Sequence, residues 1–176
     1  GDALATMALQ QILLTPVEPH VVIKMASLFA QTSLEICEGQ QYDLDFEKMN
    51  SVSIDQYIEM IRLKTAVMLA GCLKVGAILS NATEFEQNEI YNFGIHIGLA
   101  FQLKDDLFDV YSDAETFGKQ IGGDIKANKK TFLYLLALEK ADYSQKEKLL
   151  YWFATDPDNF DVKFNEVKTI FDELDI

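Results

Sequence analysis

Cysteine and proline are scarce in this chain, and no apolar run in it has the length of a membrane span. Two cysteines among 176 residues cannot supply a disulfide framework. Cys37 and Cys72 each lie in an apolar helical context, so the expectation is buried free thiols in a reducing, cytoplasmic compartment. Three prolines and nine glycines exclude a collagen-like or linker-rich architecture and leave little room for disorder. The longest apolar stretch, Ala66 to Leu79, is interrupted by Lys74 and falls short of the roughly 20 residues that a bilayer requires. Positive charge is in short supply too. Fifteen basic against 28 acidic residues give a formal charge of −13, which opposes binding to nucleic acid or to an anionic membrane. It does not exclude an anionic small molecule, because a few lysines and bound cations reverse the field locally.

What is present fits one globular domain over residues 1–176, with 49% hydrophobic and 24% charged residues. The opening Gly1-Asp2, without methionine and already within a helical pattern, leads us to expect a piece of a longer protein. Helix signals dominate. Asp2 to Leu14 reads as one helix, stopped by Pro16. A second starts at Pro19, a favoured first-turn position, and runs past Cys37. Ser53-Ile-Asp-Gln56 is a capping box that opens a long helix from Ile54 to about Leu79. Thr83-Glu-Phe-Glu86 is a second box, opening a helix to about Tyr111, and Ser144-Gln-Lys-Glu147 reads as a third. Val162 to Leu174 has the pattern of a final amphipathic helix, while Ser112 to Asn128 reads as a loop. The predicted fold class is all-α. The central helices are apolar on nearly every face, which predicts burial in a large bundle or against a partner chain. Gly71, Gly76, Gly94 and Gly98 would allow helices to approach closely.

The most informative stretch runs from Phe101 to Thr131. Asp105, Asp106 and Asp109 stand at i, i+1 and i+4, so Asp105 and Asp109 share one helical face and Asp106 lies about 100° away. Like charges so spaced repel, and a bound cation or open solvent is their usual justification. Mg²⁺ is the natural candidate, since it takes one or two carboxylates and completes its shell with water and phosphate oxygen. Lys119, Asp124, Lys129 and Lys130 follow in a polar, glycine-containing segment. Upstream stand Gln40 and Asp43 near a helix end, and Lys64-Thr65 inside the long helix. Taken singly, each has an ordinary structural explanation: acidic helix faces are common, and an interior lysine can snorkel to water. Their conjunction in this order points to polyanion binding through bridging Mg²⁺. His20 and His96 read more simply as structural residues, with His96 in a core or interface between Ile95 and Ile97. The acidic residues from Asp156 onward read as solvated surface.

The collinear elements Gly1-Asp2, Gly39-Gln40-Gln41-Tyr42-Asp43, Lys64-Thr65, Phe101-Gln102 through Asp109, Gly118-Lys119 through Asp124, and Lys129-Lys130-Thr131 resemble the motifs of the trans-isoprenyl (polyprenyl) diphosphate synthases. Among these the short-chain geranyl and farnesyl diphosphate synthases are the nearest type. The resemblance implies the isoprenoid synthase helical bundle, of which the chain would be the C-terminal portion. It implies Mg²⁺-dependent prenyl transfer, in which an allylic diphosphate ionises and the alkene of isopentenyl diphosphate captures the cation. On the same ground Asp105 would ligate Mg²⁺, with Asp106 and Asp109 as further or water-mediated ligands. Lys64 and Lys119 would contact diphosphate oxygens, and Thr65 and Gln102 would offer oxygen dipoles beside the cation. Gln40 and Asp43 would line the allylic pocket, and Lys129 would join the basic segment. A homodimer is the family's usual state.

One departure is large. The family's first aspartate-rich motif and its arginine pair are found nowhere in the sequence, so the 176 residues alone are expected to be inactive. Two rivals follow. A catalytically silent regulatory subunit of the same fold would also lack that motif. A non-catalytic helical interaction module with an acidic face would show no Mg²⁺-dependent diphosphate binding.

Overall fold

The computed structural model describes residues 2–112, 121–155 and 159–176, and every regular element among them is helical. In chain order these are α1 (Asp2–Leu13), α2 (Pro19–Lys48), α3 (Ile54–Ile61), a π-helical turn (Arg62–Ala66) and α4 (Val67–Leu79). There follow α5 (Glu84–Tyr111), α6 (Gly123–Lys126), α7 (Phe132–Lys140), α8 (Tyr143–Ala154) and α9 (Phe160–Glu173).

Local chemistry accounts for most of the boundaries. Pro19 opens α2, where its missing N–H would have had no helical partner anyway. Ahead of α3, Ser53 N donates to Gln56 Oε1 at 2.9 Å and Gln56 N to Ser53 Oγ at 3.1 Å. Ahead of α5, Thr83 N donates to Glu86 Oε2 at 2.7 Å and Glu86 N to Thr83 Oγ1 at 3.3 Å. Both are reciprocal boxes that satisfy amides otherwise orphaned at a helix start. The third box is real but begins two residues earlier than predicted: Asp142 caps α8, with Gln145 as its partner, rather than Ser144 with Glu147. At the end of α4, Asn81 takes a left-handed φ of 56° and Ala82 N reaches back to Ala77 O at 3.0 Å. This closes the last turn as glycine usually does. The long helix expected from Ile54 to Leu79 is interrupted by the π turn, and the expected loop contains the single turn α6.

The chain divides into two compact units, 1–42 with 60–100 and 43–59 with 101–176. In the first, Val21 and Met25 of α2 pack with Ile78 of α4, and Ile12, Leu28 and Val75 close around them. Gly94 and Gly98 of α5 lie so close to the backbone of Ala70 and Ala66 that a Cβ would overlap it. Gly71 faces Thr32, whereas Gly76 meets nothing and makes no close approach. In the second unit α9 packs on α6, α7 and α8. Its stripe of Val167, Ile170 and Phe171 is buried, as are Leu133, Leu135, Ala137 and Leu149. Tyr134 stacks on Phe153 with centroids 3.8 Å apart.

Several sequence expectations change. Cys37 and Cys72 are exposed rather than buried; His96 is exposed too, which removes its core placement but not the interface one. The reason is partial cover: around Cys37, Cys72 and His96 the first unit buries one side of the helix and leaves the other open. Met68, Leu73, Phe93 and Ile97 accordingly remain 38–57% exposed. With Leu69, Cys72 and Gly94 they line a cavity of about 520 Å³ in that unit. Among the described residues no helix is long and apolar enough to cross a membrane.

Candidate functional site

The three aspartates of α5 have three different environments. Asp106 is only 3% exposed. Its Oδ2 accepts from the hydroxyl of Tyr57 on α3 and from the Phe132 amide at the start of α7, the latter at 3.4 Å. Its Oδ1 accepts from Gln102 Nε2, one turn earlier on α5, also at 3.4 Å. Burial raises the Asp106 carboxyl to about 6, against the opposing pull of the Tyr57 and Gln102 hydrogen bonds. Tyr57 is raised as well, first by burial and then by the charge of Asp106.

Asp109 is half-buried and clamped by backbone. Gly122 N donates to Asp109 O at 2.7 Å, Gly123 N to Asp109 Oδ1 at 3.1 Å, and Asp124 N to Asp109 Oδ2 at 3.0 Å. Glycine is needed at 122, where φ is +77° and the rings of Phe160 and Phe164 fill the space of a side chain. Burial raises the Asp109 carboxyl above its ordinary value, while the amides of Asp124 and Gly123 work against that rise. Lys129 Nζ pairs with Asp124 Oδ1 at 2.8 Å. Burial alone would weaken the Lys129 ammonium. The hydrogen bond and charge of Asp124, with the charges of Asp43 and Asp109, raise it above its usual range instead. Lys130 turns inward and donates to Phe46 O at 2.7 Å. Asp105, the remaining aspartate, is partly exposed.

The second unit thus gathers Asp43, Asp105, Asp106, Asp109, Gln102 and Lys129. Gln40, Lys64 and Thr65 belong to the first. There Lys64 and Thr65 sit in the π turn, a geometry that often marks functional positions. Gly39 packs against the Leu63–Lys64 backbone so closely that no side chain fits, which joins the Gly39-Gln40 element to the Lys64-Thr65 element. Lys119 lies outside the described residues. Among the described residues no three His, Cys, Asp or Glu side chains converge as a ready-made metal cluster.

Two contributors escaped the sequence reading. Tyr57 belongs to no motif: with Met60 and Ile61 it is buried along α3, and the one signal available is the rule that a buried tyrosine hydroxyl finds a partner. Lys130 stands beside Lys129 in the same polar segment, and the sequence gives no sign that its ammonium holds the chain to Phe46.

These features define an all-α protein that concentrates paired carboxylates and a lysine at the C-terminal end of one long helix. The sequence profile of the polyprenyl synthetase family matches residues 1–171, and the chain belongs to that family. It is 36% identical over 150 residues to a short chain isoprenyl diphosphate synthase of Methanothermobacter thermautotrophicus, covering 85% of this chain and 46% of that protein. The crystal structure of a geranylgeranyl pyrophosphate synthase superposes with a TM-score of 0.92 at 41% identity, over 98% of this chain and 53% of that one. A polyprenyl synthase from Caulobacter crescentus, solved with calcium and isoprenyl diphosphate, superposes with a TM-score of 0.79 at 26% identity, over 86% of this chain and 46% of the other. The chain therefore spans about half the length of the relatives it matches, and its fold is the all-α isoprenoid synthase fold.

Proposed function

We propose that the protein to which this chain belongs is a Mg²⁺-dependent prenyltransferase that joins an allylic diphosphate to isopentenyl diphosphate. The observation that carries the reading is the acid–base cluster at the end of α5: Asp105 and Asp109 on one face, beside the Asp124–Lys129 pair. The Caulobacter relative, solved with a divalent cation and an isoprenyl diphosphate, supports the same chemistry here.

The donor set fits Mg²⁺ unevenly. Asp105 and Asp109 offer hard oxygens at i, i+4, and each Asp109 oxygen retains a lone pair beyond its single amide bond. Asp106 fits poorly as a ligand, because its buried oxygens already accept from Tyr57, Gln102 and Phe132. Mg²⁺ needs only one or two protein carboxylates when phosphate supplies the rest, so a preformed three-carboxylate cluster is not required. When bound, the metal would neutralise charge developing on the departing diphosphate.

The residues themselves then divide the work. Asp105 and Asp109 hold the cation, while Lys129, and by family resemblance Lys64 and Lys119, hold diphosphate oxygens. Thr65 and Gln102 direct oxygen dipoles toward the positive carbon left when the allylic C–O bond breaks. The isopentenyl alkene bonds to that carbon, and the proton lost from the adduct passes to the released diphosphate. Gln40 and Asp43 border the allylic substrate. The product is of short-chain type, geranyl or farnesyl, and the working state is a homodimer that covers part of the exposed apolar surface of α4 and α5.

The test is calorimetric titration of a non-hydrolysable allylic diphosphate with Mg²⁺ into wild type and Asp105→Ala. The variant is expected to bind at least about tenfold more weakly; equal affinities would remove the metal assignment. Chromatography of the dephosphorylated products addresses chain length, and a predominance of geranylgeraniol would move the product class upward.

A further inference from the structure

Lys163 is fully buried, 1% exposed, and it heads the same α9 stripe as Val167, Ile170 and Phe171. An ammonium group at an apolar position is unfavourable unless its hydrogens are taken up, and a methionine would fill the volume without that demand. Two specific oxygens among the described residues accept from Lys163. Nζ donates to Asn128 Oδ1 and, at 3.1 Å, to Thr155 O, and it lies 5.7 Å from the centroid of the Phe153 ring.

Asn128 is the informative partner. It holds a left-handed φ of 55° at the corner between α6 and the Lys129-Lys130-Thr131 segment, a conformation that costs a non-glycine residue unless its surroundings fix it. The segment from Gly122 to Phe132 is tied at its front by the amides on Asp109, by Lys130 on Phe46 and by the Phe132 amide on Asp106. Lys163 ties the corner from behind. Asn128 precedes Lys129 directly, so its backbone torsion aims the Lys129 side chain and the Lys129–Asp124 pair.

We infer that Lys163 is a positioning residue: by holding Asn128 it sets the Asp124–Lys129 pair in the geometry that receives diphosphate. The inference rests on the prenyl diphosphate reading of that pair and adds a residue that no motif contains.

The test uses the full chain, inorganic diphosphate with Mg²⁺ as the calorimetric probe, and thermal unfolding without ligand as a parallel readout. Lys163→Met is expected to weaken Mg²⁺–diphosphate binding roughly tenfold at temperatures where it is fully folded. Asn128→Gly keeps the backbone geometry accessible and removes only the acceptor. It is expected to show the same loss, and it carries the test if Lys163→Met fails to fold. Lys163→Met added to Lys129→Ala should bind no more weakly than Lys129→Ala alone, because one acts through the other. A lowered melting temperature with wild-type affinity in both single variants would overturn the inference, as would losses that multiply in full in the double variant. Failure of wild type itself to bind Mg²⁺–diphosphate would instead remove the reading of the site and the inference with it.

Discussion

Gly94 and Gly98 settle the first half of α5 by what they leave out, bringing its backbone against Ala70 and Ala66. In the second half Asp106 and Asp109 settle the helix by what they accept: a tyrosine hydroxyl, a glutamine amide and three backbone N–H groups. The two arrangements differ in how they fail. A steric fit has no charge state and answers only to volume. A buried carboxylate net is directional, depends on pH and loses most when one partner is removed and the other stays behind. A helix that carries carboxylates at one end gains from this division. Its apolar half fixes position without titratable groups, and its polar half fixes the direction of its oxygens.

The sharpest way to break the comparison is volume on the glycine half. Gly98→Val would drive two methyl groups into Ala66, directly after the Lys64-Thr65 pair. A loss of about 3 kcal/mol in urea unfolding is expected, independent of pH. A loss below about 1 kcal/mol would mean that the contact opens at little cost.

The aspartate half should respond to charge instead. The folded Asp106 carboxyl, at about 6, lies above the ordinary 3.8, so the folded chain holds a proton that the unfolded chain releases. Stability from this group is present at low pH and is lost as pH rises from 3.8 through about 6, by on the order of 2–3 kcal/mol. In metal-free buffer Asp106→Asn should flatten the stability profile across that window. Tyr57→Phe, which strips a donor from the ionised carboxylate, should cost about 2 kcal/mol at neutral pH. A wild-type profile that falls no more steeply across the window than that of Asp106→Asn would reverse the assignment of Asp106 as a buried, raised acid.

The same contrast explains how much was legible in advance. The boxes at Ser53 and Thr83 follow from residues three apart, and short-range rules reach that far. The third slipped because Asp142…Gln145 and Ser144…Glu147 both satisfy the pattern, and the carboxylate is the stronger acceptor at a positive helix end. Asp142→Ala should accordingly cost about 1 kcal/mol, and Ser144→Ala should change thermal stability by no more than about 0.5 kcal/mol. The order of Asp105, Asp106 and Asp109 was plain in the sequence, and their division of labour was not. The inward role of Asp106 needs Tyr57, 49 residues away, and that of Asp109 needs the Gly122–Asp124 backbone. The π turn was hidden for a related reason. Arg62-Leu-Lys-Thr-Ala66 reads as ordinary helix, and the close packing of Gly39 and Gly98 on Leu63–Ala66 comes from distant segments.

Gly76 supplies the smallest effect and the control for the glycine half. It lies inside α4 on an exposed face, with nothing within 4 Å of the Cβ it lacks. No contact compensates the extra backbone freedom that a glycine gives the unfolded chain. Gly76→Ala is therefore expected to stabilise the chain by about 0.5–1 kcal/mol, seen as a higher midpoint in urea with an unchanged slope. The opposite signs at Gly98 and Gly76 would establish that a helical glycine here is worth only what its neighbour's backbone makes of it. If Gly76→Ala destabilised the chain, some partner that this unit does not provide would have to pack on that face of α4. The exposed apolar neighbours Leu73 and Leu79 would then be the next positions to substitute.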